Sequence, residues 1–153
     1  MQKAISRILK YGVLLSTYAL VGSVLLQIFA RFFLANTPPW TEEASRLFFI
    51  YATAFAAGLA FEGRYYVHLD VFYNQLSKRM QRLIDLAIPT LVLVLFGLLT
   101  IYAVRFVMLG HQEFSPSMKM RMSLAFCSMF ILGASISYYA LKDLPKALKQ
   151  VAP

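Results

Sequence analysis

Three stretches of the chain, Tyr11–Ala30, Leu86–Val104 and Met122–Leu141, contain no Asp, Glu, Lys or Arg. A hydrocarbon layer about 30 Å thick is crossed by roughly 20 helical residues, so each stretch has the length of one membrane crossing. A soluble fold of this size has no core large enough to take in so much apolar surface. Of the 153 residues, 59% are hydrophobic and 14% charged, whereas soluble domains average about 45–50% and 25%. The mean hydropathy is +0.63. A soluble enzyme and a disordered chain are both excluded, which leaves an integral membrane protein.

A fourth apolar run, Leu47–Phe61, is shorter but follows a strong helix-start signal. Pro38-Pro39 blocks helix, Thr41 is a candidate N-cap, and Glu42 and Glu43 suit the positive end of the helix dipole. The sequence thus predicts an all-α integral membrane protein, one domain over 1–153, with four transmembrane helices at about 11–30, 41–61, 86–104 and 122–141. The first run follows Lys3, Arg7 and Lys10, as a signal peptide does. It is longer than a usual signal h-region and ends without an A-x-A-like site, so it reads as a retained span. Between the second and third spans, Phe72, Leu76, Met80, Leu83 and Ile84 recur at steps of three or four around Lys78, Arg79 and Arg82. This pattern suits an amphipathic interfacial segment or an extension of the third helix; either way it sets a basic collar against anionic lipid. Pro89 is expected in the first turn of the third span, where a missing N–H does little harm.

The net charge of +8 comes from 15 Lys+Arg against 7 Asp+Glu. The basic residues flank apolar runs, so the excess points to lipid headgroups rather than nucleic acid. Ten of them (Lys3, Arg7, Lys10, Arg64, Lys78, Arg79, Arg82, Lys142, Lys146, Lys149) fall on one side of the predicted topology and five (Arg31, Arg46, Arg105, Lys119, Arg121) on the other. The positive-inside rule then places both termini in the cytoplasm.

Catalytic chemistry finds little to work with. The single cysteine, Cys127, excludes an intrachain disulfide or a dithiol electron shuttle. His68 and His111 fall on opposite predicted sides and cannot share a haem iron. No zinc-protease, serine-nucleophile or Walker motif is present, so no enzyme, cofactor or metal is expected. No span carries a mid-membrane ionisable residue or a pair of Gly/Pro breaks, the usual marks of a self-sufficient transporter.

What the spans carry is packing signal. Ala52, Ala56 and Ala60 repeat at spacing four, Ala54 and Gly58 form a neighbouring stripe, and Gly133 and Ser137 repeat the spacing in the fourth span. Small residues of this kind permit close helix approach in lipid, within the chain or against another subunit. Glu42, Glu43 and Arg46 form the densest charge cluster, with i,i+4 and i,i+3 pairs. It reads either as a self-satisfied helix start or as a bridge from one carboxylate to Arg31 or to a partner. Trp40 beside it suits an interfacial anchor.

The ordered set Arg31-Phe32-Phe33, Trp40-Thr41-Glu42-Glu43-Ala44-Ser45-Arg46-Leu47-Phe48, Gly58, His68-Leu69-Asp70-Val71 and Ser115-Pro116 resembles the small membrane subunit, DctQ-like, of tripartite ATP-independent periplasmic (TRAP) transporters. Met120-Arg121, with Lys119 before it, departs from the hydrophobic residue and second proline usual in that family. The resemblance implies a scaffold in the bacterial inner membrane. Such a scaffold braces a large many-helix transport subunit and helps dock a periplasmic substrate-binding protein, for sodium-coupled uptake of an organic acid anion. On that basis Arg31, Trp40, Glu42, Glu43, Arg46, Arg105, His111, Glu113, Lys119 and Arg121 are expected on the periplasmic docking face, and His68 and Asp70 at a cytoplasmic turn. The competing expectation is a stand-alone, homo-oligomeric small transporter or channel.

Overall fold

The structure, a computed structural model, describes residues 2–34, 38–63, 73 and 76–151. Four helices follow in chain order: α1 (Gln2–Phe33), α2 (Trp40–Glu62), α3 (Lys78–Leu109) and α4 (Ser123–Val151). Each is long and apolar enough to cross a membrane. At about 1.5 Å per residue, the 32-residue α1 and α3 are ~48 Å long and outreach a ~30 Å hydrocarbon layer. Their overhanging amino-terminal turns carry Lys3, Arg7 and Lys10 on α1 and Lys78, Arg79 and Arg82 on α3, all exposed.

The helices form a row rather than a closed bundle. α1 packs on α2, α2 on α4, and α4 on α3, and among the described residues no other pair packs to a comparable extent. The span of α4 is the most enclosed, with a third of it buried, while α3 on the flank has 6% buried and the highest hydropathy. The broad faces left outside are lined by Leu, Ile, Val and Phe side chains that a lipid solvent accepts.

Glycines mark where the helices meet. A Cβ on Gly58 would stand 2.8 Å from the Ser135 Cβ, and one on Gly133 would stand 2.5 Å from the Thr100 hydroxyl oxygen. These positions set the α2–α4 and α3–α4 contacts, with Gly12 against the Phe55 ring doing the same for α1–α2. Polar side chains reinforce the row, as buried groups in lipid must find partners. The Ser23 and Ser45 hydroxyls lie 3.0 Å apart between α1 and α2, and the Tyr51 hydroxyl donates to the Leu124 carbonyl at 2.6 Å between α2 and α4.

Two local expectations are corrected, and one left open is decided. Thr41 is not the N-cap: α2 already begins at Trp40, after Pro39, and the buried Thr41 hydroxyl donates to the Pro38 carbonyl at 2.8 Å. Two successive prolines fix φ near the helical value and start the helix early. Of the two forms expected for the basic stretch, Lys78 to Ile84 takes that of an extension of the third helix, which Ser77 caps by accepting the Met80 N–H; Phe72 lies outside the described residues. Pro89 therefore sits well inside α3 rather than in its first turn. Its missing N–H releases the Asp85 carbonyl from the helical ladder, a loss that transmembrane helices tolerate.

Candidate functional site

The site is the end of the row where α1 finishes, α2 starts and α3 turns back into α4. Its hub is Glu43. As the fourth residue of α2 it sits at the positive end of that helix, where a carboxylate is favoured. It does not pair with Arg46 or Arg31. Its Oε2 accepts the backbone N–H of Met118 at 2.7 Å and of Ser117 at 3.1 Å, 75 and 74 residues along the chain. Two adjacent N–H groups converging on one anion form a small backbone nest, and a charged acceptor makes each bond stronger than a neutral one.

The loop that presents these donors is itself tightly built. Ser115 N–H donates to the Met120 carbonyl at 2.8 Å, Met122 N–H to Glu113 at 2.9 Å, and Ser123 N–H to Gly110 at 2.9 Å. Phe114 and Arg121 form an antiparallel bridge across it. Reversing the chain within so few residues requires Lys119 in the left-handed region, at φ 51°. Gly110 closes the base: a Cβ there would meet the Phe126 ring and the Ser123 backbone nitrogen at 2.8 Å. The turn is thus held at its base by Gly110 and at its tip by Glu43.

The other expected docking residues lie around this hub. Glu42 pairs with Arg46 at 2.5 Å, and both side chains are well exposed. The Arg121 guanidinium contacts the His111 ring, Arg105 lies 5.7 Å from the centre of the Tyr102 ring one turn earlier, and Arg31, Glu113 and Lys119 are exposed. Trp40 is 44% exposed at the first turn of α2. The whole set belongs to one end of the row. His68 and Asp70 lie outside the described residues. Of the packing residues, Ala54, Gly58 and Gly133 are buried, Ala52 is half-buried, and Ala56 and Ala60 face outward. The Ser137 hydroxyl is buried without a hydrogen-bond partner among the described residues.

Sequence reasoning missed Ser117 and Met118, because they act through backbone N–H groups that every residue but proline carries. The available signal was the glutamate beside an already paired Glu42–Arg46 couple. That couple is a surface ion pair, screened by solvent, so Glu42→Ala is expected to change thermal stability by no more than about 0.5 kcal/mol in a melting experiment. A large drop would show that Glu42 holds more than Arg46.

No group of three or more His, Cys, Asp or Glu capable of holding a metal occurs among the described residues. Comparison with curated proteins gives no match. Residues 20–150 match the family described as "Tripartite ATP-independent periplasmic transporters, DctQ component". The match takes in the second half of α1, the other three helices, and both segments, Glu42–Arg46 and Ser115–Met118, that the fold brings together. This chain belongs to the DctQ family, the small membrane component of TRAP transporters.

Proposed function

We propose that this chain is the non-conducting scaffold of its transporter, held in the bacterial inner membrane with both termini in the cytoplasm. It braces the large transport subunit and helps dock the periplasmic substrate-binding protein during sodium-coupled uptake of an organic acid anion. The observation that carries this reading is the Glu43 lock. It joins the start of α2 to the α3–α4 turn, so that one end of the row is a single braced face with exposed cations and carboxylates around it. Such a face suits recognition of a soluble protein, because charges on a rim steer and register a partner. The spans support the same reading. They carry no Asp, Glu, Lys, Arg or His at mid-depth, and the inter-helix hydroxyls of Ser23, Ser45 and Tyr51 are spent on internal hydrogen bonds. Sodium coupling and the anionic substrate follow the family.

Proteoliposomes test it. Vesicles containing this chain alone are expected to take up no organic acid anion under an inward sodium gradient. Vesicles that also contain the large subunit, supplied with the binding protein, are expected to accumulate it. Uptake by this chain alone would overturn the scaffold reading in favour of a stand-alone carrier.

A further inference from the structure

The opposite end of the row holds an electrostatic arrangement that the scaffold role does not use. Lys78, Arg79 and Arg82 lie in the first turn and a half of α3, all three exposed. Arg82 stands four residues from Lys78 and three from Arg79, so like charges face each other along the helix, a spacing that weakens an isolated helix. They also sit at the positive end of the α3 dipole, and the first turn contains no acidic residue. The nearest carboxylate on the same helix, Asp85, forms no ion pair with them. Its Oδ2 accepts the Tyr73 hydroxyl at 2.7 Å, a bond that raises the Tyr73 pKa above the usual phenol range by holding its proton. Among the described residues none of the three cations has an ion pair or hydrogen-bond partner. Together with Leu83 they line a hollow of about 540 Å³.

Two local rules are therefore broken at one place, with a cavity between the offending groups. A phosphate group relieves both conflicts: it screens the cation–cation repulsion and complements the helix end. Depth points to the source of that phosphate. Arg82 precedes the uncharged Leu86–Val104 run by four residues, about 6 Å along the helix axis, which is headgroup depth. Met80 and Leu83 beside it are 46% and 53% exposed and offer apolar surface where acyl chains begin.

We propose that the hollow lined, among the described residues, by Lys78, Arg79, Arg82 and Leu83 is a binding site for the phosphate headgroup of one anionic phospholipid. The proposal concerns this chain alone and stands apart from the scaffold reading.

The test uses the full chain in vesicles of mixed phosphatidylcholine and phosphatidylglycerol, extracted into detergent and weighed intact by native mass spectrometry. The wild type is expected to retain one phosphatidylglycerol through stringent delipidation. The triple variant Lys78→Gln, Arg79→Gln, Arg82→Gln is expected to lose that adduct, with affinity falling about fivefold for each cation removed. The pair Arg79→Lys, Arg82→Lys keeps the charge and is expected to keep the lipid. Circular dichroism checks that every variant stays helical. The variant Lys3→Gln, Arg7→Gln, Lys10→Gln removes the same charge from α1 and is expected to retain the adduct. Equal loss in both triple variants would show diffuse attraction and no site, and an unchanged adduct in the α3 variant would equally overturn the proposal. Stabilisation by inorganic phosphate to the same degree as by phosphatidylglycerol would overturn the assignment to lipid.

Discussion

Gly133→Leu is expected to prevent α3 and α4 from seating against each other, and to be the most damaging single substitution in the spans. Even the first added carbon would lie 2.5 Å from the Thr100 hydroxyl, 2.8 Å from a Leu99 methyl and 3.2 Å from the Thr100 backbone nitrogen. The hydroxyl cannot swing away freely, since it donates to the Phe96 carbonyl at 2.7 Å. The leucine branch adds three further carbons, so the two helices must separate. Overpacking of this kind costs about 3 kcal/mol or more when backbone has to move. A melting curve of the purified chain should show the loss, as should its yield from the membrane. Gly97→Leu supplies the control, because nothing lies within 4 Å of a Cβ at that position. The isolated chain should tolerate it or gain slightly, since leucine favours helix over glycine by up to about 1 kcal/mol. Equal damage from both substitutions would mean that the α3–α4 contact is not where the structure puts it. Should Gly97→Leu spare the isolated chain but break its co-purification with the large subunit, that face of α3 lies in the subunit interface.

Glu43→Ala is expected to free the tip of the α3–α4 turn while leaving the four spans in place. Two backbone N–H groups lose a charged acceptor, worth about 1–3 kcal/mol for a half-buried carboxylate. Hydrogen exchange would read this directly, as amide exchange at Ser117 and Met118 should rise more than tenfold and that of the spans should not change. Glu43→Gln keeps one acceptor oxygen without the charge and should fall between wild type and alanine. In a reconstituted transporter the expected consequence is weaker use of the binding protein, seen as a higher concentration of it needed for half-maximal uptake. Unaltered exchange at both amides would show that the loop holds itself, through the Ser115–Met120 and Glu113–Met122 hydrogen bonds.

The position of Glu43 illustrates how far a sequence can be read. Its place at the start of a helix was visible from Pro38-Pro39 and the paired glutamates. Its partner was not. Spacing rules relate residues three or four apart, and by those rules Arg46 was the obvious mate for either carboxylate. In the fold, Arg46 goes to Glu42, and Glu43 turns to backbone donors on a distant loop. The small-residue stripes repeat the lesson. Ala52, Ala56 and Ala60 matched the spacing as well as Ala54 and Gly58, yet only the latter pair is buried. The α3–α4 turn was illegible for a further reason, since it depends on a lysine in a left-handed conformation that no local preference announces.

By itself the sequence determined that four helices cross a membrane, that cations cluster mainly at one end of them, and that no charge lies at mid-depth. Those properties follow from transfer of side chains between water and hydrocarbon, which acts residue by residue and needs no knowledge of neighbours. Only the tertiary structure decided that the helices stand in the order α1, α2, α4, α3, which stripe faces inward, and that Glu43 fastens a turn 74 residues away. In lipid every apolar face is equally well solvated, so the choice among faces falls to close packing and hydrogen-bond satisfaction, both of which depend on shapes and donors that meet only once the chain is folded.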